Sequence, residues 1–159
     1  MTTSASQENL TALIWKLAIG STLSWELAKL FGSHHPYLAP LSVILCLQST
    51  IKTTVALSVK RFIGTTIGIF FTIFLASKLH VTGWNLGILI LIGGFITKYL
   101  QLDKVVIHQV ALTILFVFVF EHNTKHYALD RMNDTIIGLL VGVLIQLIWF
   151  WLIVPLKKK

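Results

Sequence analysis

Residues 135–156 run without a single charged side chain, and that run leaves few folds open. A ~30 Å hydrocarbon layer takes about 20 helical residues at 1.5 Å each. Comparable apolar stretches recur along the chain, which is 55% hydrophobic and 12% charged. A soluble domain carries roughly twice that share of charge, about 25%, so too few polar side chains are present to coat a water-soluble globule. Barrel strands would need alternating segments of about ten residues, and "ILILIGGFI" and "LTILFVFVF" do not alternate. The sequence predicts an all-α integral membrane protein.

Six transmembrane helices are predicted, over residues 10–31, 36–59, 62–79, 84–100, 105–120 and 132–154. Together they form one membrane domain at 10–155, with a polar tail at 1–9 and a basic tail at 156–159. The start lacks a basic n-region, and no small-residue cleavage site follows, so the first segment is expected to be retained. Pro36 suits a first helical turn, because its missing N–H is not needed there.

The net charge of +7 comes from basic residues at the ends of apolar segments. They are assigned to topology and lipid headgroups rather than to nucleic acid. With both termini inside, the inner side holds Lys52, Lys60, Arg61, Lys98, Lys104 and Lys157 to Lys159, against Lys29, Lys78, Lys125 and Arg131 outside. The positive-inside rule then predicts a multi-pass protein with cytoplasmic N- and C-termini. Cys46, the single cysteine, lies in an apolar segment and forms no internal disulfide.

"RFIGTTIG" at 61–68 returns as "RMNDTIIG" at 131–138. Seventy residues span three predicted helices, an odd number, so the second copy would enter the membrane from the opposite face. That is the signature of a 3+3 inverted repeat, an architecture that places substrate sites near its pseudo-twofold axis. The other reading is two helices that start with similar anchoring residues. On each copy the Arg, the Thr and the small residues share one helix face. Gly64 with Gly68, and Gly138 with Gly142, are small-xxx-small pairs that let another helix approach closely.

In a chain this apolar, polar side chains within the spans mark cavities or partners. The substrate-binding candidates are Lys16, Gln48, Lys52, Arg61, Thr65, Arg131, Asp134 and Thr135. Arg61 and Arg131 are expected at helix starts, where their charge opposes the dipole. Arg131 is given Asp134 as a partner at i+3, and Arg61 an anionic ligand, with snorkelling to phosphate headgroups the competing reading for both. Glu26 is an outer-edge carboxylate or a proton acceptor. His108 is read as a hydrogen-bonded interhelical histidine, ahead of a protonation switch. Trp25, Trp84, Trp149 and Trp151 fit an interfacial belt. His122 and His126 have i, i+4 spacing but lack the rest of a metal motif, so no metal is assigned. No cofactor site, Walker sequence or nucleophile–base arrangement is present, and no enzyme activity is predicted.

The stretch "IWKLAIGSTLSWELAKLFGSHHPYLAPLSVILCLQSTIKTTVALSVKRFIGTTIGIF" resembles the membrane half of the fusaric acid resistance (FUSC)-like and aromatic acid exporter family. The family's pattern falls on Lys16, Pro36, Gln48 with Ser49 and Thr50, and Arg61, Gly64, Thr65 and Gly68. A later Arg-x-x-Asp-Thr-x-x-Gly falls on Arg131, Asp134, Thr135 and Gly138. The resemblance implies a bacterial cytoplasmic-membrane protein that exports small organic anions such as aromatic carboxylic acids. A more distant likeness to plant malate-conducting channels implies an anion-selective homodimer or higher oligomer. Family members carry a cytoplasmic domain after the helices, where this sequence has "PLKKK". Two alternatives therefore stand beside the exporter: a passive anion channel, and a non-transporting assembly or regulatory subunit.

Overall fold

The computed structural model describes the backbone of residues 3–76, 79–120 and 127–156, and the side chains of 10–75, 79–120 and 127–152. The regular structure of those residues is entirely helical: α1 (Thr3–Leu30), α2 (Leu38–Cys46), α3 (Ile51–Ala76), α4 (Gly83–Tyr99), α5 (Lys104–Phe120) and α6 (Tyr127–Leu156). Two segments are long and apolar enough to cross a membrane, Ile51–Leu75 in α3 and Tyr127–Leu152 in α6; α5 is apolar but shorter.

The helix boundaries differ from the predicted ones in several places. α1 already starts at Thr3, within the expected polar tail, and α6 starts at Tyr127, five residues early. Pro36 lies in the turn before α2 and not in its first turn. The largest difference is in the second and third segments. The expected segment 36–59 is broken after Cys46, and α3 then continues past the expected loop at 60–61. Leu47 adopts an extended backbone, with ψ 125. Ser and Thr compete with helical hydrogen bonds through their own side chains, and "QST" supplies the replacements. Gln48 N–H donates to Thr54 Oγ1 at 2.9 Å, and Thr53 N–H to Thr50 Oγ1 at 3.3 Å, so α3 is capped from its own first turns. Lys60 and Arg61 were expected between spans because they are charged. They lie inside α3, where Lys60 is ion-paired with Asp103 and Arg61 is hydrogen-bonded to Gln109, so neither needs a loop. Lys52 is also within α3. With nine residues, α2 spans only about 14 Å.

The chain forms two compact units, Met1–Ser58 with Asp134–Lys159, and Val59–Asn133. The divide falls within α3 and within α6.

In the first unit α1 packs on α2. The turn between them starts at Gly32, whose φ of +79 places it in the left-handed region that favours glycine. Ser33 N–H reaches back to Ala28 O and Gly32 N–H to Lys29 O, both at 3.0 Å, which closes the last turn of α1 as a Schellman motif. The core holds Val43 and Leu47 against Val141 and Ile145 of α6, flanked by Leu13 and Leu17. Here α6 touches α2 almost backbone to backbone. A Cβ on Gly138 would collide with the Ala39 carbonyl oxygen and lie 2.7 Å from Ser42 Cβ. At Gly142 the nearest such atom, Val43 Cα, is 4.0 Å away. Contact in lipid comes from packing of this kind, since tails are as apolar as leucine.

In the second unit α4 packs on α5. Its core joins Phe71 and Leu89 to Val106, Val110, Ile114 and Phe118. The glycine face of α3 lies against α5: a Cβ on Gly64 would be 2.5 Å from Gln109 Cβ, and one on Gly68 would be 2.6 Å from Thr113 Cβ. One turn along α3 matches one turn along α5 in the same direction, so the two helices run parallel there. The contacts of Gly138 and Gly142 rise along α2 in the same sense, so α6 and α2 are parallel as well.

Candidate functional site

The break in the helix at residues 47–50 frees backbone groups that must find partners. In the first unit Gln146 of α6 provides one: its Nε2 donates to Ser49 O at 3.2 Å. The same amide turns its Oε1 to Lys16 of α1, whose Nζ donates to it at 3.1 Å. Trp149, one turn further along α6, lies with its ring centroid 5.5 Å from that ammonium. Lys16 is 5% exposed and Gln146 4%.

An ammonium offers three donors. The contacts of Lys16 are a neutral amide and an aromatic face, and among the described residues no carboxylate pairs with it. A buried charge is costly unless it is paired. Lys16, Gln146 and Trp149 together offer a positive charge, an amide and an aromatic wall, the complement of an aromatic carboxylate.

The other basic candidates are held differently. Arg61 is 1% exposed and its Nη1 donates to Gln109 Oε1 at 2.6 Å, across the glycine seam of α3 and α5. It lies eleven residues into α3 and not at a helix start. Thr65, one turn on, and Thr113 on α5 are fully buried. Arg131, also expected at a helix start, sits in the second turn of α6, with its guanidinium carbon 4.7 Å from the Phe116 ring centroid. Phe116 stacks on Phe120, and Phe120 on Tyr127 at 5.2 Å, so that cation lies at the end of an aromatic row.

Asp134 and Thr135 are buried in the first unit, and Asp134 Oδ2 accepts from Ser33 Oγ at 2.7 Å. Lys52 and the side chain of Gln48 are exposed. Glu26 is exposed and 3.9 Å from Lys29. His108 is exposed rather than interhelical: Gln109, 100° round α5, takes the inward position. His122 and His126 lie outside the described residues, as do Lys78, Lys125 and Lys157 to Lys159.

The reading of the sequence missed Gln146 and Ser33, and gave Trp149 only an interfacial place. For Gln146 the signal was there, since a glutamine inside a long uncharged run is costly in lipid and needs a partner. Ser33 in "GSHHP" gives no local sign that it faces Asp134, 101 residues away.

The family model described as fusaric acid resistance protein-like matches residues 23–145. No curated protein and no solved structure matches the chain.

Proposed function

The chain belongs to the fusaric acid resistance protein-like family, a transporter family rather than an enzyme family, and on that premise we propose that it exports small organic anions, aromatic carboxylates among them, across a membrane. One observation carries the substrate charge: the buried Lys16 ammonium, held by the Gln146 amide and the Trp149 ring. A carboxylate arriving there supplies the counter-charge that the ammonium lacks in the resting site. A membrane potential that is negative inside favours anion exit by about 2.3 kcal/mol per charge per 100 mV. Outward flux then needs no nucleotide motor.

The proposal includes six spans built as a 3+3 inverted repeat. Parallel contact of α3 with α5, and of α6 with α2, supports it, because helices two or four places apart run parallel in an up-and-down membrane chain. Gly64 and Gly68 meet the second helix of the other half, α5, and Gly138 meets α2 in the same manner. The polar break at 47–50, its carbonyl taken by Gln146, fits the rule that irregular backbone at membrane depth must be buried in protein or line a cavity.

The test is flux from proteoliposomes loaded with an aromatic carboxylate such as benzoate, under an imposed potential negative inside. Saturable efflux that a second aromatic acid inhibits is the expected result. Single-channel currents would replace the carrier with a channel, and no movement of any organic acid would refute the proposal.

A further inference from the structure

On the first unit α1 and α2 leave an open groove of about 450 Å3, within the size range of small-molecule sites. Trp25 and Glu26 line it from α1, beside the hydroxyls of Ser21 and Thr22, and Tyr37, Pro40, Leu41 and Ile44 line it from the α2 side. Its construction follows from the turn at Gly32, which returns the chain so that Tyr37, the N-cap residue of α2, faces the end of α1. His35 meets the Tyr37 ring edge-on at 5.8 Å and 88°, which fixes the ring.

The charge in this groove is negative, unlike that of the Lys16 site. Glu26 lines it together with two aromatic residues, Trp25 and Tyr37, a lining whose chemistry attracts an organic ammonium. Lys29, one turn along α1, is 3.9 Å from Glu26, with side chains 55% and 61% exposed. A pair that long and that exposed holds little and is readily exchanged. A carboxylate and an ammonium side by side are the complement of a zwitterion laid across them in the opposite sense. The apolar lining from the α2 side, and Leu23 exposed on the neighbouring face of α1, supply the surface that an acyl chain covers.

We propose that this groove seats a zwitterionic phospholipid, with its headgroup ammonium between Glu26, Trp25 and Tyr37, its phosphate on Lys29, and its chain along Leu41 and Ile44. The inference rests on the membrane reading above and not on the anion site at Lys16.

The experiment titrates the purified full chain in detergent with phosphatidylethanolamine and with phosphatidylglycerol, and counts retained lipid by native mass spectrometry. Phosphatidylethanolamine is expected to be retained preferentially. Glu26→Gln should weaken its retention by up to roughly fivefold, the upper end for an exposed ion pair, and Lys29→Ala should weaken it too; both positions are exposed, so neither variant should unfold. Equal retention of the two lipids, or undiminished retention by Glu26→Gln, would overturn the assignment. A third arm uses an alkyltrimethylammonium, which has no phosphate. If that ligand binds wild type and Lys29→Ala alike while phosphatidylethanolamine is not held, the groove takes a free organic cation and the lipid assignment fails. Carboxylate efflux by Glu26→Gln should match wild type, which separates failure here from failure of the transport reading.

Discussion

Leucine in place of Gly138 is expected to leave no folded protein in a detergent extract, and alanine there to cost about 3 kcal/mol, the upper end for overpacking. The reason is what the new atom meets. A Cβ at 138 collides with the Ala39 carbonyl oxygen and crowds Ser42 Cβ and the Ala39 carbonyl carbon. Two of those atoms are backbone and cannot rotate away, so α6 and α2 would have to separate. The core between them, Val43 and Leu47 on Val141 and Ile145, would open with them. Gly94 is the internal control: a Cβ there meets nothing within 4 Å. Gly94→Ala should leave stability unchanged or raise it by up to about 1 kcal/mol through helix propensity. Thermal melting monitored by tryptophan fluorescence, with size-exclusion profiles, reads both. If Gly138→Ala melts like wild type, the close approach of α6 to α2 is wrong.

Arg61→Ala should also destabilise strongly, by about 3 kcal/mol. That figure combines a lost charge-assisted hydrogen bond, roughly 1.5–3 kcal/mol, with the hole left by a large buried side chain. Arg61 is among the largest fully buried side chains, and its loss strands the Gln109 carbonyl oxygen inside the α3–α5 seam. The measurement that isolates the pair is a double-mutant cycle with Gln109→Leu. Each single variant should melt lower than wild type, and the double variant should lose clearly less than the sum. Additive losses would mean that the 2.6 Å bond contributes nothing and that Arg61 serves some other role.

What could be read from sequence divides along physical lines. Helical class follows from run length and from the lack of alternation, both local properties. The spacing of Gly64, Gly68 and Gly138 marks faces where backbones can meet, but local pattern is silent on what meets them, α5 in one unit and α2 in the other. The misplaced boundary has the same cause. Lys60 and Arg61 look like a loop until Asp103 and Gln109, more than forty residues away, satisfy them. Conversely, Gln48, Ser49 and Thr50 look like helix interior until the cap by Thr54 and the reach of Gln146 make a break affordable. For the candidate site, Lys16 could be picked out by its charge alone. Its partners lie 130 residues further on, in a span whose one glutamine was the available clue.

The central claim is that Lys16 is a cation waiting for an anion. Its most direct test is equilibrium binding of an aromatic carboxylate such as benzoate to the purified chain, followed by intrinsic tryptophan fluorescence, for wild type and for Lys16→Met. Methionine keeps the length and the apolar stem while removing the charge. Wild type should show a saturable change as the carboxylate displaces the ammonium from its place beside Trp149. The variant should bind at least tenfold more weakly, the loss of about 1.4 kcal/mol expected for a charge-assisted contact. Equal affinity in the two proteins would contradict the account.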